Sequence, residues 1–454
     1  MARDSTRPPK PAQPSFGDAL RWWFRLGCIS FGGPAGQISI MHQELVEKRR
    51  WISERRFLHA LNYCMVLPGP EAQQLATYIG WLMHGTKGAI AAGALFVLPS
   101  LLLLIALSWI YMALGGQPMV AGILYGIKPA VTAMVLAAAW RIGTRALKSP
   151  PLWAIAAAAF LAIFAFSVPF PAIVLAAGVL GYAGGRFAPA QFVTGGAHAN
   201  AQADYGPALI DDDTPPPPHA RASRGRLARI AASGAGIWSA AIGVLIMAFG
   251  WQGLPTQMGW FFTKAAMLTF GGAYAVLPYV YQAAVEQHQW LSATQMIDGL
   301  ALGETTPGPL IMVVAFVGFV GGWTDAARMA AGAFLAGPGI VAMAMAGACV
   351  ATFFTFLPSF VFILAGAPLV EATHGDLKFT APLTGITAAV VGVIVNLAVF
   401  FAWHVLWPEG WEGRFEWPAA AIALCAFAAL TRFRVGVVPV IAASAIAGLA
   451  IRFL

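Results

Sequence analysis

Long apolar runs separated by short polar loops dominate the hydrophobic pattern of this 454-residue chain. The clearest runs cover residues 87–113, 119–140, 228–250, 326–349 and 379–401. Each is long enough to cross the hydrocarbon core of a bilayer, which takes about 20 helical residues. The pattern therefore predicts an all-α polytopic membrane protein.

Several short motifs occur twice along the chain, which indicates an internal duplication. At a spacing of 239 residues, Phe31-Gly32-Gly33 recurs as Phe270-Gly271-Gly272, and Pro68-Gly69-Pro70 recurs as Pro307-Gly308-Pro309. At a spacing of 259 residues, Leu98-Pro99-Ser100 recurs as Leu357-Pro358-Ser359. A duplicated apolar chain whose helices break at matching glycine and proline positions is typical of secondary transporters.

Basic residues lie on opposite sides of the two copies. Loop 42–56 carries five lysine and arginine residues, whereas the matching loop 281–295 carries none. Loops that stay in the cytoplasm are enriched in these residues. Segment 228–250 has no counterpart in the first copy and adds one crossing. These observations predict two inverted-topology repeats with broken or re-entrant helices, and a cytoplasmic N-terminus.

Composition divides the chain into five segments. They are a disordered cytoplasmic tail (1–15), a first transporter repeat (16–185), a flexible linker (186–227), an extra membrane helix (228–250) and a second transporter repeat (251–454). The linker assignment depends on clusters of Asp, Pro and Arg, which cannot bury a core. Within the first repeat, segments 16–41 and 57–82 are predicted to be re-entrant rather than fully spanning.

Glycine and proline interrupt the apolar segments at the repeated motifs. A helix ends there because glycine favours non-helical backbone and proline lacks an amide donor. In lipid the freed backbone groups must line a protein cavity, and the half-helices that follow direct N–H groups and partial positive charge into it. We therefore predict a site for a small oxyanion near the membrane midplane. Its residues are Ser30, Phe31, Gly32, Gly33, Pro34, Pro68, Gly69, Pro70, Thr269, Phe270, Gly271, Gly272, Thr305, Thr306, Pro307, Gly308 and Pro309.

Within this set, the serine and threonine hydroxyls are expected to add hydrogen-bond donors for the anion. The alternative for the whole set is that the breaks are packing kinks of membrane helices. Two matched pairs of breaks favour a cavity over isolated kinks.

Four charged residues flank the breaks. Arg25 and Lys264 occupy the same repeat position and are candidates for attracting the anion; the alternative is that they reach the lipid headgroups. Glu71 follows the first Pro-Gly-Pro, and Glu304 precedes the second. A carboxylate beside an anion site is repelled when ionised, which suits both glutamates to carry a proton. For Glu71 the alternative is a carboxylate stabilised by a helix N-terminus.

Composition and motifs exclude several other classes. Charged residues make up only 10% of the chain and hydrophobic residues 59%, whereas soluble domains carry roughly 25% charged residues. The net charge of +8 comes from basic residues in short loops, which favours membrane orientation over nucleic-acid binding. ATP-binding and hydrolase motifs are absent from the sequence. We expect that the protein is not an enzyme and that it binds no cofactor and no metal. We expect the lipid bilayer to be one of its partners.

At these motifs the sequence resembles the chromate ion transporter family in its long, two-domain form. The stretches that carry the resemblance are Phe31–Gln37, Glu44–Glu54, Leu67–Gln74, Leu98–Ser100, Phe270–Pro278, Trp290–Ser292 and Glu304–Leu310. Some members carry His where this chain has Gln37. The resemblance implies a multi-pass protein of the bacterial inner membrane that exports chromate and confers chromate resistance. It also implies a link to proton movement or to exchange with sulfate.

The residues themselves support a small oxyanion, and chromate comes from the resemblance alone. Moving a dianion out of a negative-inside cell releases roughly 4.6 kcal/mol at 100 mV, so export needs no ATP. One alternative is uptake or exchange of sulfate-like or molybdate-like oxyanions. Another is an intramembrane enzyme that reduces chromate, for which no cofactor motif is present. A homodimer is left open.

Overall fold

The computed structural model describes residues 9–31, 33–192, 205–215, 217–220, 223–270, 272–330, 338–372 and 380–453. Within these residues sixteen α-helices form, and no β-strand forms. Seven helical segments of the described chain are long and apolar enough to cross a membrane. The predicted all-α polytopic membrane fold is confirmed.

The helices fall into two similar series. The first comprises α1 (Phe16–Ile29), α2 (Gly33–His42), α3 (Glu54–Val66), α4 (Glu71–Leu114), α5 (Pro118–Ala146), α6 (Pro150–Phe166) and α7 (Phe170–Phe187). A connecting helix, α8 (Arg224–Phe249), follows. The second comprises α9 (Leu254–Met267), α10 (Ala273–Tyr281), α11 (Ala293–Thr305), α12 (Val313–Ala330), α13 (Pro338–Ala372), α14 (Thr380–Leu406), α15 (Trp417–Thr431) and α16 (Val437–Phe453).

Helix caps and turns also repeat between the two series of helices. The side chains of Ser53 and Ser292 cap the N-termini of α3 and α11 by accepting hydrogen bonds from backbone N–H groups. Three residues before these caps, Arg50 and Gln289 both have left-handed backbone, with φ of 49° and 51°. A single π-helical turn extends both α2 and α10. The two copies therefore share their turns as well as their sequence motifs.

Helix α4 turns back on itself at Gly85, whose φ is 64°. A Cβ on Gly80 would lie 2.5 Å from the carbonyl oxygen of Gly88, so the arms on either side of the turn are in backbone contact. The two arms of α4 therefore form a helical hairpin, and the re-entrant character of segment 57–82 stays a prediction. In the second copy the corresponding arms are separate helices, α12 and α13, which meet closely at Gly318 and Gly347.

The predicted inverted arrangement depends on the number of membrane crossings before the second copy. In the first copy the candidate membrane spans are α4, α5 and α7, and the shorter apolar helix α6 precedes α7. Helix α8 then adds one further long helix of 26 residues before α9. An even number of crossings before α8 would start the second copy from the opposite side of the membrane, and the inverted arrangement stays a prediction.

Two packed cores hold these elements in place. The larger surrounds α10 to α14 and includes the fully buried rings of Phe262, Phe316 and Phe401. The smaller joins α1, α3 and the first arm of α4 through buried side chains such as Trp23 and Tyr78. Both cores support the ends of the broken helices.

The described parts of the predicted linker and tail contact the first repeat. Ile210 forms an isolated parallel β-bridge with Ile52, and Asp212 accepts a hydrogen bond from the Ser53 hydroxyl at 2.6 Å. The side chain of Gln13, in the tail, donates to the carbonyl oxygen of Met83 at 3.3 Å. The rest of the tail (1–8) and residues 193–204 of the linker lie outside the described residues. The flexible character proposed for both segments stays a prediction.

Candidate functional site

Two hydrogen bonds cross between the repeats at the helix breaks. The amide of Gly69 donates to the carbonyl oxygen of Thr269 at 2.8 Å. The amide of Gly308 donates to the carbonyl oxygen of Ser30, also at 2.8 Å. Each Pro-Gly-Pro break is thus bonded to the Phe-Gly-Gly break of the other copy. The repeated motifs, far apart in sequence, come together in one place.

Glycine is required where the crossed bonds form. Gly69 and Gly308 have φ of 129° and 112°, a backbone conformation that other residues rarely adopt. A Cβ on Gly69 would lie 2.3 Å from the Ser359 hydroxyl oxygen, and one on Gly308 would lie 2.6 Å from Cβ of Ser100. The two serines belong to the repeated Leu-Pro-Ser motif, so the contact is repeated as well.

Half-helices begin at each of these breaks. Pro34 is the second residue of α2, Pro70 directly precedes α4, Gly272 caps α10 with a φ of 94°, and Pro309 precedes a short 3₁₀ turn that leads into α12. The first-turn N–H groups of a helix have no acceptor within that helix. The arrangement therefore supplies backbone donors and partial positive charge, which suit a small anion.

Three buried glutamines surround the breaks. The side-chain nitrogen of Gln37 donates to the carbonyl oxygens of both Ser30 and Gly308, so it ties the crossed bond to α2. The side-chain oxygens of Gln37, Gln73 and Gln74 are buried and have no hydrogen-bond partner within the described residues. Buried polar atoms are rarely left unpaired, so these oxygens mark a place where water or a ligand completes the bonding.

Both candidate carboxylates lie at the second Phe-Gly-Gly break. A Cβ built on Gly272 would be 3.9 Å from a carboxylate oxygen of Glu71, although the two residues belong to different copies. Glu304 is buried, with 6% of its surface exposed, and accepts a hydrogen bond from the hydroxyl of Tyr274 on α10. Tyr274 was not identified from the sequence, because nothing in the local pattern pairs it with Glu304.

Comparisons with known proteins show which family the chain belongs to. A family model described as Chromate transporter matches residues 18–182 and 256–449. The chain belongs to the chromate transporter family. It is 30% identical over 432 residues to the chromate transport protein of Cupriavidus metallidurans, across 94% of this chain and 90% of that protein. It is 32% identical over 468 residues to the chromate transport protein of Pseudomonas aeruginosa, across 98% of this chain and 95% of that protein.

A more distant relative is the probable chromate transport protein of Synechococcus elongatus. It is 26% identical over 387 residues, which cover 84% of this chain and 82% of that protein. No solved structure matches the chain. The similarity therefore extends over both repeats of this chromate transporter family member.

The hydroxyl groups predicted to face the anion are bonded elsewhere in this family member. Each one donates to a carbonyl oxygen three or four residues earlier on its own helix; the pairs are Ser30 with Leu26, Thr269 with Ala265, Thr305 with Leu302, and Thr306 with Gly303. A hydroxyl has a single proton to donate. The donors left for an anion at the breaks are therefore backbone amides.

Arg25 and Lys264 are not brought to the breaks by the fold. Both residues are exposed on the surface of the transporter, and the Lys264 ammonium lies 5.8 Å from the centre of the Trp260 ring. Such positions favour the alternative that the two cations reach the headgroup region. Gly32 and Gly271, also predicted for the site, lie outside the described residues.

The two Phe-Gly-Gly breaks of this family member differ in exposure. All nine residues of α10 are buried, whereas Gln37 and Met41 are the buried residues of α2. Phe31 is 38% exposed, and a Cβ on Gly33 would meet nothing within 4 Å. Phe270 instead packs against the larger core. The break before α2 therefore lies at the protein surface, whereas the break before α10 is enclosed by protein. Among the described residues, no group of three or more His, Cys, Asp or Glu side chains is placed to hold a metal ion.

Proposed function

We propose that this protein transports chromate as a secondary transporter and exports it from the cytoplasm across the bacterial inner membrane, with a cytoplasmic N-terminus. The main support is the pair of crossed hydrogen bonds, because each joins the start of the half-helix after a Pro-Gly-Pro break to the end of α1 or α9 in the other repeat, and both lie around one site. Membership of the chromate transporter family and the names of its relatives supply the substrate.

The chemistry of the site favours a dianion over a cation. Helix N-termini each carry about half a positive charge, and the breaks add backbone N–H donors that need no side chain. The nearby carboxylates, Glu71 and Glu304, repel a dianion when ionised and accept it more readily when protonated. In this proposal they couple chromate movement to protons, and exchange with sulfate uses the same amide site.

Export follows from the charge of the substrate. A dianion that leaves a negative-inside cell releases about 2.3 kcal/mol per charge at 100 mV, so the membrane potential drives efflux without ATP. The unequal exposure of α2 and α10 fits alternating access, in which two inverted repeats exchange conformations and the site opens to each side in turn.

Flux measurements test this proposal. Purified protein in lipid vesicles should move labelled chromate at a rate that rises with an imposed membrane potential, and unlabelled sulfate should compete. The Gly308→Val variant, whose side chain meets Ser100, is the inactive control. Expression in a chromate-sensitive bacterium should lower the cellular chromate content. Chromate flux no faster than in empty vesicles would refute the proposal, and increased cellular chromate would favour uptake instead.

A further inference from the structure

A buried charged cluster lies on α11, apart from the helix breaks. Asp298 is 2% exposed. One of its carboxylate oxygens lies 3.4 Å from the ammonium nitrogen of Lys128 on α5 and accepts a hydrogen bond from the hydroxyl of Tyr111 on α4 at 2.9 Å. The other oxygen is buried and has no hydrogen-bond partner within the described residues. We call these three residues the α11 cluster.

The three equivalent positions of the other repeat do not form a charged cluster. At the repeat spacings, Asp298 corresponds to His59 and Tyr111 corresponds to Val370. There the imidazole of His59 contacts the carbonyl oxygen of Val370 at 3.4 Å, without an ion pair. The counterpart of Lys128 is Thr387, which donates to Leu383 on its own helix. That copy places its ion pair elsewhere on the same helices, between Arg56 of α3 and Glu371 of α13 at 3.5 Å, and the Tyr78 hydroxyl donates to Glu371. The positions equivalent to Asp298 and Lys128 carry neither a carboxylate nor an ammonium group.

A pair of charges inside a membrane protein is expensive to bury and contributes little net stability. A function is therefore the better explanation of the α11 cluster. An ionised carboxylate with one unpaired oxygen in an apolar surrounding is able to accept a proton at that oxygen.

Arg141, also on α5, interacts electrostatically with Glu304 and Tyr274 at the break. The other charged groups of the neighbouring helices lie further away from Asp298. Asp325 and Arg328 lie near the C-terminal end of α12, where they line a polar pocket together with His288, which follows α10. On α16, Arg452 lies beside Gly122. On α14, the imidazole of His404 is paired with the carbonyl oxygen of Phe400. In the described chain, Lys128 and Tyr111 are the groups bonded to Asp298.

We infer that the α11 cluster is a proton-binding site in which the Asp298 carboxylate takes up a proton and releases Lys128. The proton adds to the unpaired oxygen, the ion pair breaks, and Lys128 keeps its charge. The cluster thereby changes from a net charge of zero to one positive charge. Glu304, at the break, is six residues further along α11, or about 9 Å. A positive charge at this distance attracts a dianion at the breaks, so proton and anion binding favour each other.

The effect of this proton site on anion binding rests on the proposed function. Proton binding by Asp298 can be measured separately, without chromate. Infrared difference spectra between high and low pH, recorded on the purified protein without chromate, should contain a protonated-carboxyl component that is missing in Asp298→Asn and kept in Asp298→Glu. Protonation of Glu71 and Glu304 contributes to the spectra of all three proteins. Asp325→Asn, in the polar pocket near the C-terminal end of α12, is the matched control and should keep the band. A band of equal size in wild type and Asp298→Asn would overturn the inference.

The link to the anion is measured by adding chromate to weakly buffered protein and recording the pH. Asp298→Asn should take up about one proton fewer per bound chromate than wild type, and should bind chromate about tenfold more tightly at alkaline pH, because Lys128 is left unpaired. Unchanged proton uptake in this variant would count against the cluster. If wild type shows the infrared band but binds no chromate, the proposed function fails while the proton site stands.

Discussion

The hydroxyl oxygen of Ser359, in the second repeat, lies 2.3 Å from the position that a Cβ on Gly69 of the first repeat would occupy. The two repeats are in contact here with no room for a side chain. Gly308 and Ser100 form the same contact with the roles of the repeats exchanged. These two contacts hold the crossed hydrogen bonds of the breaks in place.

Gly69→Ala and Gly308→Ala should each reduce chromate flux by more than about tenfold, because the added carbon displaces the facing serine and strains a left-handed backbone, a strain of about 1–3 kcal/mol. Flux in vesicles is the measurement, and the amount of folded protein is checked by gel filtration. Gly243→Ala is the control, since a Cβ there meets nothing within 4 Å. Normal flux in both break variants would show that the crossed contacts do not shape the site.

Tyr274→Phe should destabilise the protein and slow transport. Without the hydroxyl, the buried carboxyl group of Glu304 loses the hydrogen bond that it accepts in the structure, and such a loss costs about 1–3 kcal/mol. Thermal unfolding in detergent and vesicle flux measure the two effects. Tyr182→Phe, at a residue that is 61% exposed, should change neither. An unfolding temperature equal to that of wild type would argue that the hydrogen bond contributes nothing.

Single cysteines should report the unequal exposure of the two breaks. In a background without the four native cysteines, Ala35→Cys should react with a water-soluble thiol reagent at least about tenfold faster than Ala275→Cys, because Ala35 is exposed and Ala275 is fully buried. Chromate should slow the reaction at position 35 if the site lies there. Equal reaction rates at the two positions would contradict the arrangement described for α2 and α10.

Labelling from each side of the membrane tests the inverted topology. Arg50 and Gln289 occupy equivalent turns of the two copies. Arg50→Cys should therefore be labelled from the cytoplasmic side and Gln289→Cys from the opposite side, by a reagent that cannot cross the bilayer. Labelling of both positions from the same side would mean that the repeats are parallel, and the site would then need a different explanation.

The local features of the fold could be read from the sequence. Repeated glycine and proline motifs located the ends of α1, α3, α9 and α11, because these residues change the backbone wherever they occur. Ser53 and Ser292 mark helix starts for the same local reason. The apolar runs identified the membrane class, since length and hydropathy alone decide whether a helix suits a bilayer.

The chemistry between distant segments was decided only by the tertiary structure. No local pattern pairs Tyr274 with Glu304, or Lys128 with Asp298, because the partners lie on different helices whose rotation is set by packing. The same packing turned Arg25 and Lys264 towards the surface and used the hydroxyls of Ser30 and Thr269 within their own helices. The sequence determines where a helix breaks, because a break depends on a few neighbouring residues. Which groups face one another across the break depends on how the two copies pack against each other.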